Sequence, residues 1–336
     1  MRITVGVLAM LVGFGFACGD DTPGRDTADT LGDGRDGNDG ADADADADAD
    51  TDADADAEAD SSTDPGAALT GFWGQIMATA VLTRTGIPIL GEQWSSSRAW
   101  QLVEITSDGA GNLTLIETPC LAKVKTGGVV RAVVEVPQTT IDRMPPIERH
   151  VALASSAPST PFVSDVVYAV RGANLCDPQS DPLPTGPLDV NDSTSCDQPC
   201  GIYACDQDED GHPGITTHME AAGIVNCDVY AVARGWSRLD GQIADATSIA
   251  GTIADRGSEQ EILAATQALC ASASATISDD GCAAHTYFKM VRLDGGTTCA
   301  DVLALTDCDE DPAACDANAV LPLDPNNDTQ NGPECG

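Results

Sequence analysis

Basic residues are scarce in this chain. Among 336 residues, 16 Lys and Arg stand against 54 Asp and Glu, for a formal net charge of −38. Nucleic acid is held by neutralising its phosphates with Lys and Arg, so it is excluded as a partner, and anionic lipid head groups are excluded with it. Histidine is scarcer still, with His150, His212, His218 and His285 the complete set. No His-Glu-x-x-His, no Gly-x-Ser-x-Gly elbow and no Gly-x-x-x-x-Gly-Lys loop occurs, so the commonest zinc-hydrolase, serine-hydrolase and nucleotide-binding constellations are missing. No run of apolar residues reaches the length of about 18 that a bilayer-crossing helix needs.

What is present begins at the N-terminus. Arg2 gives a small positive start, residues 3–16 are almost wholly apolar, and Gly15-Phe16-Ala17 places small residues three and one before Cys18. The apolar run has the length of a signal-peptide core. The segment resembles the lipobox of bacterial lipoproteins, in which the Cys becomes the diacylated N-terminus. The resemblance covers only the first 20 or so residues. It implies a signal peptide over 1–17, a lipid on Cys18 and attachment to the cell envelope, at the outer membrane or cell surface. An ordinary signal peptidase would accept the same site and leave Cys18 bare. Cysteine arithmetic favours the lipid, because setting Cys18 aside from the 13 Cys leaves an even number free to pair.

Residues 18–65 read as an acidic tether. Residues 19–65 carry 18 acidic and 2 basic residues, and residues 41–57 are mostly Ala-Asp alternation. Alternation normally marks a strand. Here Ala buries too little and the Asp row repels itself, so the tract is expected to stay extended and solvated. A spacer is the plain reading, and cation buffering by the Asp row is the alternative.

Residues 66–336 are long enough to bury a real core, with Cys pairs pinning loops in an oxidising compartment. Strand patterning dominates. Residues 71–85 read as a first strand, and 98–106 and 112–118 as a hairpin around Ser107-Asp108-Gly109-Ala110-Gly111. Residues 128–136, 165–172, 228–243, 247–254 and 286–293 bring the total to eight or nine strands. Two helices are expected. Ser258 to Glu261 has a capping-box pattern ahead of Ile262, Leu263, Thr266, Leu269 and Cys270 at helical spacing, and Thr298 with Asp301 caps a shorter helix through Leu305. The fold class is therefore mainly β, a barrel or sandwich with a disulfide-rich insertion and one or two short helices. Gly71 and Trp73 form a Gly-x-Trp that resembles the opening of lipocalin-type barrels, whose Trp plugs one end. That resemblance implies a lipocalin-like barrel.

The interval 173–227 is too long for a simple loop and reads as an insertion. It holds Asp206, Asp208 and Asp210 in alternation, followed by Gly211. Alternating carboxylates converge on one cation, and Gly at the sixth position permits the turn. Residues 206–211 resemble the first half of calcium loops of the EF-hand and thrombospondin-repeat type, which implies a structural calcium. The twelfth position is Thr217 where an EF-hand has Glu, leaving Glu220, Asp228 or a carbonyl to complete the set. Cys176, Cys196, Cys200, Cys205 and Cys227 read as disulfide partners rather than zinc ligands. The tail 306–336 repeats the acidic style at Asp307, Asp309, Asp311 and 324–332, with Cys299, Cys308, Cys315 and Cys335 as expected staples.

Two functions are consistent with these features. The first is a non-enzymatic lipoprotein that presents a calcium-stabilised binding or structural domain to a small ligand, glycan or protein at the surface. The second is an exported metal-dependent hydrolase built on Asp208, Asp210, His212 and His218. Glu104 and Glu117, on facing hairpin strands, have the residue types of a glycosidase pair, although a solvated strand face also explains them.

Overall fold

A computed structural model describes residues 64–85, 92–126, 132–185, 196, 201–221, 225–272, 275–279 and 286–305. The signal segment, Cys18, the tether up to residue 63, Cys200, His285 and the tail 306–336 lie outside the described residues.

The domain is mainly β. Its strands are β1 (Gly71–Thr85), β2 (Glu92–Ser107), β3 (Asn112–Thr126), β4 (Ala132–Glu135), β5 (Ile147–Ala152), β6 (Pro161–Val163), β7 (Val167–Arg171), β8 (Ala173–Asn174), β9 (Tyr203–Ala204), β10 (Ile215–Ala221), β11 (Val225–Asp245), β12 (Ser248–Ala265), β13 (Ala275–Asp279) and β14 (Tyr287–Arg292). Among the described residues, three short α-helices accompany them: α1 (Gln138–Ile141), α2 (Ala268–Ser272) and α3 (Cys299–Ala304).

The main sheet closes on itself. Each of β1, β2, β3, β4, β10, β11, β12 and β14 pairs antiparallel with the next, and β14 returns to pair with β1. These eight strands form an up-and-down barrel in chain order. Farther along β3 and β11 the wall changes hands. There β5 pairs with β3, while β6 and β7 pair with β11. A bridge from Val151 to Ser164 joins the two sides.

Local chemistry explains the best-formed elements. The β2–β3 turn is organised by Asp108, whose Oδ1 accepts from the backbone N–H of Ala110 at 2.7 Å and of Asn112 at 3.1 Å. Gly109 and Gly111 supply the positive φ values of 83° and 90° that this turn requires. Gly241 and Gly251 face each other across β11 and β12, where a Cβ on Gly251 would lie 2.3 Å from the Gly241 Cα. Trp73 is fully buried at the start of β1, and its Nε1 donates to the Leu69 carbonyl at 2.9 Å. The Arg292 guanidinium lies 5.9 Å from the Trp73 ring centre. Trp73, Ile105, Leu113, Leu239, Ile249 and Phe288 belong to the main core inside the barrel.

The expected helix over 258–270 is a correction. Residues 258–265 continue β12, and the helix there is only Ala268–Ser272. Glu, Gln, Leu and Ala favour a helix locally, but pairing with β11 overrides that preference. Within this pairing Arg234 meets Glu259 directly across the two strands. The shorter helix at Thr298 forms with the expected capping box. The interval 173–227 includes a wall strand, β10, besides the small β8–β9 ribbon. The ribbon segment packs Ala173, Leu183 and Ala204 on Val232, outside the barrel.

Candidate metal centre

The Asp loop sits between β9 and β10, on the outside of the barrel next to α1. A parallel bridge from Asp206 to Gly214 closes it. Asp206 Oδ1 and Oδ2 accept from the N–H groups of Asp210 and Gly211 at 3.1 and 2.9 Å, and Gly211 takes a φ of 90°. Asp210 Oδ1 accepts from the His212 N–H at 2.8 Å, and Asp210 Oδ2 accepts from the Thr216 hydroxyl. Asp208 is the anchor, with only 6% of its surface exposed. Its Oδ2 accepts from the Thr140 hydroxyl at 2.9 Å and the Thr216 N–H at 2.8 Å. Arg143 donates to the Asp208 carbonyl at 2.6 Å and pairs with Glu209 at 2.7 Å.

The three carboxylates converge. One oxygen from each of Asp206, Asp208 and Asp210 lies within 4.8 Å of the other two. A hard cation with oxygen ligands at about 2.3–2.6 Å fits such a cluster. The remaining oxygen of Asp208, Oδ1, is buried and has no hydrogen-bond partner. An orphaned carboxylate oxygen is costly without a cation or donor. Burial pushes the Asp208 carboxyl above its usual range, and the nearby charge of Asp210 adds to this, while the bonds from Thr216 and Thr140 oppose it.

Other predicted ligands lie elsewhere. Thr217 is fully buried, and its hydroxyl donates to the Val229 carbonyl. Asp228 bonds Nδ1 of His218 at 2.8 Å across the β10–β11 pair. His212 stacks on Tyr230 with ring centres 4.0 Å apart. Burial raises the Tyr230 hydroxyl pKa, with Asp228, Asp210 and Asp208 adding to the rise. The two histidines of the hydrolase reading thus have partners of their own, and neither ring joins the Asp cluster.

Glu104 and Glu117 do not form a pair. Glu117 lies opposite Val103 and Glu104 opposite Ile116, so the two carboxylates face opposite sides of the sheet. Glu117 is fully buried inside the barrel, against the expectation of a solvated face. Three disulfides are formed among the described residues: Cys120–Cys299, Cys196–Cys205 and Cys227–Cys270. Cys299 thus ties α3 to β3 rather than stapling the tail.

Sequence reasoning missed the supports of the Asp loop, Thr140, Arg143 and Thr216, because they lie far from it along the chain or carry no motif. It also missed a set of inward polar residues: Gln75, Gln101, Arg149, Arg171 and Gln260. Period-two alternation carries the signal for some of these. Gln75 shares a face with Trp73 and Met77, and Gln101 shares one with Ala99 and Val103, all of them buried. Compared with protein families, curated proteins and solved structures, this chain matches none.

Proposed function

We propose that the chain is an exported envelope protein, anchored through a lipid on Cys18, whose β-barrel is a non-enzymatic binding or structural domain stapled by calcium at Asp206, Asp208 and Asp210. The observation that carries the calcium is the buried, unpartnered Oδ1 of Asp208 within a cluster of three convergent carboxylates. The cation would fasten the loop to α1 through Thr140 and Arg143, and to β10 through Thr216. Those fastenings of the loop to two other elements favour a structural role for the cation. A lipocalin-like arrangement belongs to this reading. The closed meander and Trp73 buried at the start of β1 favour it.

Thermal unfolding with calcium, with magnesium and with chelator tests the staple. Calcium at about 100 times its dissociation constant adds roughly 2.7 kcal/mol to a folded state that alone binds it. A saturable calcium-specific rise in Tm is expected, and its absence in Asp208→Asn. Equal effects of magnesium and calcium, or a calcium effect that survives Asp208→Asn, would sink the staple. In the same work, membrane fractionation of a Cys18→Ser variant checks the anchor: release from the membrane is expected.

A further inference from the structure

The inner wall of the barrel changes character along its length. Around Trp73 it is filled by large apolar side chains, whereas one stretch of β11 is lined by small residues. Ala231, Ala233, Gly235 and Ser237 occupy successive inward positions there. Directly opposed residues of an antiparallel pair share a face. Ala233 lies opposite Arg171 of β7 on one side and Gln260 of β12 on the other. Gly235 lies opposite Ala169 and Ser258 in the same way. Two long polar side chains therefore flank an alanine, beside a second row made of Ala, Gly and Ser. Gln260 and Ser258 are only half-buried on this inward face.

Several buried polar atoms on this inward face and on the facing wall lack partners. Arg171 is 2% exposed, and its Nη1 donates to the Val170 carbonyl at 3.2 Å. Its Nε and Nη2, the two donors along one edge of the guanidinium, bond nothing. Burial alone lowers its pKa, to about 10. Both side-chain polar atoms of Gln260 are unpartnered too, as are both of Gln101 and the Oε1 of Gln75 on the β1–β2 wall. The buried carboxylate of Glu117 does not serve Arg171, because Arg149 and Gln75 hold it. Native interiors rarely leave so many donors and acceptors unmet.

We infer that the barrel interior beside β7, β11 and β12 is a binding site for a small organic carboxylate, received side-on by the Nε and Nη2 edge of Arg171. A carboxylate presents two oxygens at the spacing of that edge, and the fork-to-fork pair is the strongest contact a guanidinium makes. The Gln260 amide and Ser258 hydroxyl are placed to bond the remainder of the ligand, and the Ala169–Gly235 row leaves it room. One unpaired cation suits a singly charged carboxylate better than a doubly charged phosphate. The site is distinct from the Asp loop and stands whether or not that loop takes calcium.

Acetate is the probe. The full-length chain is unfolded thermally across an acetate titration in chloride at constant ionic strength, with inorganic phosphate in parallel. A saturable rise is expected with acetate, roughly 3 °C at ten times its dissociation constant. Arg171→Met should remove the response. Arg171→Lys keeps the charge without the two-donor edge, and should weaken acetate about tenfold. It also decides the matter should the Met variant fail to fold. No saturable shift would mean an interior filled by water alone and would overturn the site. So would an equal shift in both Arg171 variants, or a response to phosphate without acetate.

Discussion

Arg149 reaches from β5 into the barrel and joins three strands at once. Its Nε donates to Glu117 on β3 at 2.9 Å, while Nη1 and Nη2 donate to the carbonyl and hydroxyl of Ser237 on β11 at 2.8 and 3.0 Å. Both charged side chains are essentially inaccessible, at 1% and 0% exposure. Such a pair gains little over apolar residues of equal size, but breaking it strands a buried charge. Arg149→Ala is therefore expected to cost about 3–5 kcal/mol, because Glu117 is left unpaired. The double replacement Glu117→Leu with Arg149→Met should recover most of that loss. Urea unfolding of the two variants checks both statements, and a double variant as unstable as the single one would refute the account. Arg171 differs in kind. Its removal strands no carboxylate, so Arg171→Met should leave the ligand-free protein at least as stable as before.

At the scale of elements, local signals were legible where the chain decides its own geometry. The β2–β3 turn could be read because Asp108 and its two glycines set it within five residues. The α3 start could be read for the same reason. Thr298 Oγ1 accepts from the Asp301 N–H at 3.4 Å, and Asp301 Oδ2 accepts from the N–H groups of Thr297 and Thr298 and from the Thr298 hydroxyl. Residues 258–265 were misread because their strand state comes from β11, whose pairing no local pattern announces. The three Asp of the 206–211 loop were legible from spacing, whereas Thr140 is 68 positions from Asp208, so their meeting is a product of the fold. The α3 cap also yields a pH test. The Thr298 hydroxyl, followed by the two backbone donors, lowers the Asp301 pKa below its ordinary 3.8. A carboxyl depressed in the folded state contributes stability above its unfolded pKa, and that contribution is lost as pH falls through the folded value. With six residues, α3 is too short to hold itself together. The protection of its amides, taken relative to unfolded peptide at the same pH, should therefore fall as the medium is acidified below about pH 4. In Asp301→Asn that protection should change little across the same range. Hydrogen exchange across residues 299–305 reads both, and an acid response that persists in Asp301→Asn would discard the cap as its source.

For the molecule as a whole, the decisive pairing is the one that joins the first wall strand to the last. Trp73 lies opposite Arg292, and Ala78 opposite Tyr287, so β14 completes a wall begun more than 200 residues earlier. Arg292 adds to the closure by donating to the carbonyls of Ala68 and Thr70 at 2.6 and 2.8 Å. Until β14 arrives, one stretch of β1 and one of β12 present unpaired backbone groups, the template on which chains aggregate. Pairings this distant in sequence also close slowly, since loop entropy is lost before the contacts reward it. A chain stopped after Asp279 lacks β14 and α3 and should expose both edges. It is expected to sediment as aggregate, despite retaining seven of the eight wall strands and all of the Asp loop. A chain stopped after Leu305 keeps every described element and should remain a soluble, cooperatively unfolding species. Analytical sedimentation of the two products, followed by urea unfolding of whatever stays in solution, separates the cases. If the shorter chain proved monomeric and folded, closure of the barrel by β14 would not be what holds this domain together.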